Sequence, residues 1–164
     1  MKKSLPLFIL MVFSISSLNG QWSAVGTGVR HAPCCTVEIT RLFVYNGKIY
    51  AGGNFDTAGS ISAKYIANWN GTVWDSVGSG FGGGGISPEV HALGVYNTEL
   101  FAGGEFTIAG GVSANHAAIW NGTSWSEMGG GTSNGTTYQC PYAFVVYNGE
   151  LYVGGTFITA GTTT

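Results

Sequence analysis

The sequence repeats one segment three times at a spacing of 51 residues. The copies carry Tyr45, Tyr96 and Tyr147 at the same place, and 96 − 45 and 147 − 96 both equal 51. In chain order the copies read VYNGKIYAGGNF, VYNTELFAGGEF and VYNGELYVGGTF. A repeat of this length restricts the fold to an array of similar units, each of which packs against its neighbours.

Each repeat has the pattern of two β-hairpins. In the first repeat Asn46-Gly47 separates the runs Leu42–Tyr45 and Lys48–Ala51, and Asn-Gly between such runs is a strong hairpin signal. A second pair of runs follows at Tyr65–Trp69 and Val73–Val77. Four strands per repeat predict one blade of a β-propeller, a fold that closes with about four to eight blades. The predicted class is all-β, with about 2.5–3 four-stranded blades and an incomplete ring.

Two features of the repeat predict local backbone geometry. Glycine pairs end the second strand at 52–53, 103–104 and 154–155. We expect them to adopt backbone conformations closed to other residues and to let neighbouring units approach closely. The second repeat has Asn97-Thr98 where the others have Asn-Gly. Because threonine is unfavourable at positive φ, we expect a different turn type there.

Residues 1–20 have the pattern of a secretory signal peptide. Lys2-Lys3 precede an apolar run from Leu5 to Ile15, and small or polar residues follow. This run is shorter than a membrane-spanning helix, which needs about 20 residues. An uncleaved membrane anchor is the alternative interpretation. We therefore expect a secreted or cell-surface protein with no transmembrane segment after signal removal.

Residues 21–164 form the predicted propeller region. It divides into a lone outer strand at 21–29, blades at 39–80 and 90–131, and a partial blade at 141–164. The outer strand matches the fourth strand of a blade, with Trp22 in the place of Trp74. Because the third repeat is incomplete, we expect further blades in a longer native chain.

The double glycine and the tryptophan that follows it resemble the kelch-type β-propeller repeat. Gly53 and Trp69 are 16 residues apart, as are Gly104 and Trp120. The fuller pattern, V-Y-N-G-x-L-Y-x-G-G-x-F with W-N-G-T-x-W, is similar to repeats of secreted bacterial propellers. The resemblance covers about residues 22–164 and implies a fold and export, without implying a particular ligand. Because the tryptophans recur every 51 residues, we expect them in the core rather than in a carbohydrate-stacking surface.

The charge composition argues against a nucleic-acid partner. The chain has six Lys+Arg and eight Asp+Glu, a net charge of −2, and no basic stripe. An extracellular glycan or protein is the expected partner.

The long connections between hairpins carry the candidate ligand-binding residues, because binding sites concentrate on loops held by a rigid frame. The candidates are His31, Glu89, His91 and Tyr142. His91 and Tyr142 share one repeat position, with Thr40 in the first copy, so both a ligand site and a variable packing position fit the pattern. The polar residues differ between repeats and assemble no catalytic triad, and we assign no catalytic residue, cofactor or metal.

The three cysteines are Cys34, Cys35 and Cys140. Free thiols, a bridge from Cys34 or Cys35 to Cys140, and a metal site with His31 are the alternatives, since export permits disulfides.

Three functional hypotheses follow from this sequence. The first is an exported, non-catalytic β-propeller scaffold that binds or adheres to glycan or protein partners. The second is the N-terminal part of a secreted polysaccharide-active enzyme whose catalytic residues lie beyond Thr164. The third is a structural repeat without a ligand of its own.

Overall fold

The computed structural model describes residues 11–14, 21–31, 36–84, 88–133 and 140–161 of the chain. These residues form twenty β-strands and no helix, so the all-β prediction is confirmed. The strands are β1 (Met11–Ser14), β2 (Gln21–Ala24), β3 (Val29–Arg30), β4 (Glu38–Tyr45), β5 (Lys48–Asn54), β6 (Thr57–Ala58), β7 (Ile61–Ser62), β8 (Ile66–Trp69), β9 (Trp74–Ser76), β10 (Phe81–Gly82), β11 (Val90–Tyr96), β12 (Glu99–Gly104), β13 (Ile108–Ala109), β14 (Val112–Ser113), β15 (Ala117–Trp120), β16 (Trp125–Glu127), β17 (Thr132–Ser133), β18 (Pro141–Tyr147), β19 (Glu150–Gly155) and β20 (Thr159–Ala160).

Two antiparallel four-stranded sheets dominate the structure. Their strand orders are β4-β5-β8-β9 and β11-β12-β15-β16, so each sheet is a simple meander within one repeat. In the third repeat β18 and β19 pair in the same way as β4 with β5. Strand β11 contacts both β4 and β18, which places the first strands of successive repeats side by side.

The first hairpin of every repeat turns through two residues at positive φ. The φ values are 48° and 71° at Asn46-Gly47 and 48° and 66° at Asn97-Thr98. The prediction of a different turn type at Asn97-Thr98 is therefore wrong. Strand pairing continues to Tyr96 and Glu99 on either side of the turn, and this register leaves only two residues to reverse the chain.

Five of the six paired glycines are required by close packing rather than by unusual backbone angles, Gly154 being the exception. None of the six glycines at 52–53, 103–104 and 154–155 is among the described residues with positive φ, so that part of the prediction is wrong. The close approach is confirmed. A Cβ on Gly52 would lie 2.6 Å from Cγ1 of Val90, and one on Gly103 would lie 2.5 Å from Cβ of Pro141.

The long connections contain short strands that the sequence did not predict. They form three small antiparallel sheets, with orders β3-β6-β7, β10-β13-β14 and β17-β20. Each joins a segment before one repeat to the connection between that repeat's hairpins. Beside the second of these sheets Phe81 of β10 stacks on Phe106, which precedes β13, with ring centroids 4.3 Å apart and both rings fully buried. Aromatic burial therefore stabilises this connection of the second repeat.

Tryptophans connect the first and second repeats to the segments before them. The indole Nε1 of Trp74 donates to the carbonyl of Val25 at 3.3 Å, and that of Trp125 donates to the carbonyl of Val77 at 3.0 Å. Both tryptophan side chains are buried. Their recurrence thus reflects a packing role, as the 51-residue spacing favoured.

The third repeat leaves exposed the aromatic residues that the first repeat buries. Tyr45 and Tyr50 are each 5% exposed, whereas their counterparts Tyr147 and Tyr152 are 63% and 47% exposed. The second repeat therefore covers this face of the first repeat.

Strand β2 pairs antiparallel with β1, with Phe13 opposite Trp22. The segment predicted as a lone outer strand thus has a partner within residues 1–20. The signal peptide and the blade boundaries stay predictions. In the part of the chain that the structure describes, no helix is long and apolar enough to cross a membrane.

Candidate functional site

The first strand of every repeat contains a β-bulge at the same position. The pairing registers shift between Ile39 and Arg41, between Val90 and Ala92, and between Pro141 and Ala143. The extra residues are Thr40, His91 and Tyr142. We call these three residues the bulge row. A bulge removes one residue from the ladder and redirects its side chain, a device that is frequent beside functional sites.

The second glycine of each pair makes room for the bulge. A Cβ on Gly104 would lie 2.0 Å from the carbonyl oxygen of Glu89, and one on Gly155 would lie 2.2 Å from that of Cys140. The N–H of Glu105 donates to the same Glu89 carbonyl at 2.8 Å. The glycine pair is thus the sequence signal of the bulge, and it brings residue 105 close to residue 89.

The bulge row connects successive repeats. The hydroxyl of Thr40 donates to the carbonyl of Val90 in the next repeat, and its oxygen lies 3.3 Å from the carbonyl oxygen of Gly52. The His91 and Tyr142 rings lie 4.9 Å apart at an interplanar angle of 38°. Thr40 therefore contacts the second repeat, and His91 contacts the third.

His91 lies between two carboxylates. Its Nε2 is 3.4 Å from Oε1 of Glu105, and its Nδ1 is 3.8 Å from Oε1 of Glu89. The three side chains are only 15–21% exposed. Each ring nitrogen thus faces a carboxylate in a site where water has limited access.

Cys140 lies beside this histidine. Its residue is fully buried, and its thiol, one His91 nitrogen and one Glu105 oxygen all lie within 4.8 Å of one another. Burial raises the pKa of the Cys140 thiol to about 11, with a hydrogen bond to Tyr142 acting in the opposite direction. Cys140 is a free cysteine, and Cys34 and Cys35 lie outside the described residues. A bridge to Cys140 stays a prediction.

Two further groups at this site have perturbed acidity. Burial raises the pKa of Glu89, and the charges of Glu38 and Glu105 act in the same direction, while His91 lowers it. Burial also raises the pKa of the Tyr142 phenol. A carboxyl group that holds its proton more readily can donate as well as accept hydrogen bonds.

Of the four predicted ligand-binding residues, the structure brings three together. Glu89, His91 and Tyr142 lie in one cluster, whereas His31 lies elsewhere. The His31 Nδ1 is 4.0 Å from Oδ2 of Asp56, and its ring centroid is 6.3 Å from that of Tyr65.

The site also contains two residues, Cys140 and Glu105, that are not among the four predicted ligand-binding residues. Cys140 occupies the repeat position of Glu89, since 140 − 89 equals 51, and it was assigned only to cysteine chemistry. Glu105 follows the glycine pair of the second repeat directly. Aligning the polar residues by the 51-residue period shows that Cys140 lies two positions before Tyr142, as Glu89 lies two positions before His91.

Comparison with known protein families, curated proteins and solved structures gives no match. Functional conclusions therefore come from the geometry of the site. The site combines an imidazole, two carboxylates, a thiol and a phenol at the junction of two repeats. Such groups can bind a polar ligand, exchange protons or coordinate a metal ion.

Proposed function

We propose that this chain is an exported β-propeller scaffold that binds or adheres to glycan or protein partners without chemically changing them. Two four-stranded meanders of the same order, with the third begun, support a blade-like unit. The recurrent tryptophan bonds between segments support stacking of these units in series. The pattern of residues 1–20 supports export.

The bulge row is the observation that carries the binding proposal. One backbone position, shaped in the same way three times, displays a hydroxyl, an imidazole and a phenol. A constant frame with different side chains at one displayed position is an arrangement that suits recognition. Tyr142 is 43% exposed beside His91, so an aromatic face and polar groups are offered together. This combination fits a sugar ring, which has apolar C–H faces and hydroxyl edges.

The test is binding of the full chain to immobilised β-glucan, chitin and mucin. Tyr142→Ala should weaken binding about tenfold or more, the loss expected of an aromatic contact at the centre of an interface. Tyr152→Ala is the matched control, because Tyr152 is 47% exposed and lies outside the bulge row. Equal losses in both variants, or release of soluble fragments from the polymer, would contradict the proposal.

A secreted polysaccharide-active enzyme is the second candidate. The raised pKa of Glu89 beside the Glu105 carboxylate favours it, since glycoside hydrolysis uses two carboxyl groups of different acidity. If fragments are released, Glu89→Gln distinguishes the possibilities. Lost turnover would place an acid or base at Glu89, and unchanged turnover would place the catalytic residues elsewhere.

A further inference from the structure

We propose that His91, Glu105 and Cys140 bind a divalent transition-metal ion, of which Zn²⁺ is the representative, at the junction of the second and third repeats. The sequence alone assigned no metal. The inference goes beyond the proposed scaffold function, because metal binding is measured on the chain without any glycan or protein partner. Either proposal can therefore fail without the other.

The His91 nitrogen, the Glu105 oxygen and the Cys140 sulfur lie near the separations of ligand atoms in a tetrahedral metal site. They are within 4.8 Å of one another, and the His91–Glu105 pair is at 3.4 Å. Zinc bonds of about 2.0–2.3 Å to nitrogen, oxygen and sulfur separate tetrahedral ligand atoms by about 3.3–3.8 Å. A movement of about 1 Å by the most distant atom would complete this geometry.

The second nitrogen of His91 provides independent support. While Nε2 faces Glu105, Nδ1 faces the carboxylate of Glu89 at 3.8 Å. Histidines that bind metals usually direct their other ring nitrogen to a carboxylate or carbonyl, which fixes the tautomer and the ring orientation. In this proposal Glu89 is a positioning residue, because a carboxylate beside Nδ1 orients the ring so that Nε2 faces the ion.

The ligand types indicate the class of ion. A thiolate and an imidazole prefer Zn²⁺ and similar ions, whereas Mg²⁺ and Ca²⁺ prefer oxygen ligands. Three protein ligands leave a fourth position for water or for a group of a bound partner. On binding, the sulfur–metal bond replaces the S–H bond of Cys140, and the proton leaves to solvent.

The repeats explain why the site lies at this junction. Glu105 and His91 belong to the second repeat, and Cys140 belongs to the third. In the preceding junction the corresponding residues are Asn54, Thr40 and Glu89, which include no thiol and no imidazole. The bound ion would link two repeats and stabilise the folded chain in proportion to its occupancy.

The test is a Co²⁺ titration of the reduced, metal-free full chain, followed by competition with Zn²⁺. We expect one ion per chain, with the thiolate-to-cobalt charge-transfer band and the visible bands of a tetrahedral site. Cys140→Ser should remove the charge-transfer band, and a Cys34→Ser, Cys35→Ser double variant should retain it. A folded wild-type chain without the band, or a band that depends on Cys34 and Cys35 instead, would overturn the inference.

A second pair of variants keeps the test valid if Cys140→Ser fails to fold. Glu105→Gln should weaken Co²⁺ binding at least about 100-fold, and Glu89→Gln should weaken it about 10–100-fold through the imidazole. Glu127→Gln is the matched control, because Glu127 is an exposed glutamate on strand β16 of the same sheet. Glu105→Gln with the affinity of the Glu127→Gln control would also overturn the inference.

Discussion

The phenol of Tyr45 donates a 2.7 Å hydrogen bond to the backbone carbonyl of Thr98, in the hairpin turn of the next repeat. Tyr96 makes the same bond to the carbonyl of Gly149 at 2.9 Å. Both tyrosines hold the same repeat position and both acceptors hold another, since 149 − 98 equals 51. The bond therefore recurs as a connection between the first hairpins of successive repeats.

Removing this bond should weaken the folded state. Tyr45→Phe retains the buried ring and loses the donor, so the free energy of unfolding should fall by about 0.5–1.5 kcal/mol. Chemical denaturation of the full chain measures the change. Tyr147→Phe is the control, because Tyr147 has the same repeat position but is 63% exposed, and its effect should stay within about 0.5 kcal/mol. Equal losses in the two variants would contradict a linking role for the bond.

The turn at Thr98 should be improved by glycine. Its φ of 66° lies in the left-handed region, which costs a β-branched residue about 1–2 kcal/mol. After the entropy cost of glycine, Thr98→Gly should raise the free energy of unfolding by about 0.5–1 kcal/mol. Thr72→Gly is the control, since Thr72 is an exposed turn residue that is not among those with positive φ, and it should lower stability. A loss of stability in Thr98→Gly would show that the threonine is not strained.

Gly103→Ala and Gly154→Ala distinguish the effect of a close contact between repeats from the backbone preference of glycine itself. A Cβ on Gly103 would lie 2.5 Å from Cβ of Pro141, so Gly103→Ala should cost about 1–3 kcal/mol of stability. Gly154 has the same repeat position, but its nearest neighbour would be the Ala143 Cβ at 4.0 Å. Gly154→Ala should therefore be neutral or stabilise by up to about 1 kcal/mol. Thermal and denaturant unfolding of both variants test the contrast, and similar losses would contradict it.

Alkaline pH should destabilise the fold through Tyr50. Burial, assisted by Tyr45, raises the pKa of Tyr50 above its ordinary value of 10.0. The folded state holds the phenol proton of Tyr50 more tightly than the unfolded state does. The contribution of this phenol to the free energy of unfolding is therefore complete below about pH 10, and it is lost as the pH rises through the pKa of the folded state. Tyr50→Phe should fold, since Phe101 fills the same place in the second repeat, and its melting temperature should fall less between pH 8 and pH 11. Tyr152→Phe should retain the wild-type pH dependence, and an unchanged dependence in Tyr50→Phe would contradict the prediction.

The sequence predicted the large sheets because their determinants are local. Asn46-Gly47 between apolar runs specifies a hairpin within ten residues, and the 51-residue period transfers that conclusion to the other copies. The same reasoning was wrong at Thr98, where pairing on both sides of the turn outweighed the preference of one residue. It also missed strands such as Thr57–Ala58, because two residues are too few to show an alternating pattern.

The candidate site was only partly predictable because it depends on contacts between repeats. The shared position of His91 and Tyr142 was visible in the sequence, and the two rings are in contact. Glu105 joins them because Gly104 leaves space for the Glu89 carbonyl, a contact that no sequence pattern measures directly. Cys140 joins them because the third repeat packs on the second.

Because a bulged residue stands outside the ladder, its side chain can be exchanged without disturbing the pairing that holds the sheet. The residues that pair the strands and the displayed residue are thus different positions in each repeat. Thr40→His together with Asn54→Glu would set an imidazole and a second carboxylate against Glu89, one junction earlier than the natural cluster. The cluster could thus be transferred to the equivalent positions of another junction, which lie 51 residues away in the sequence.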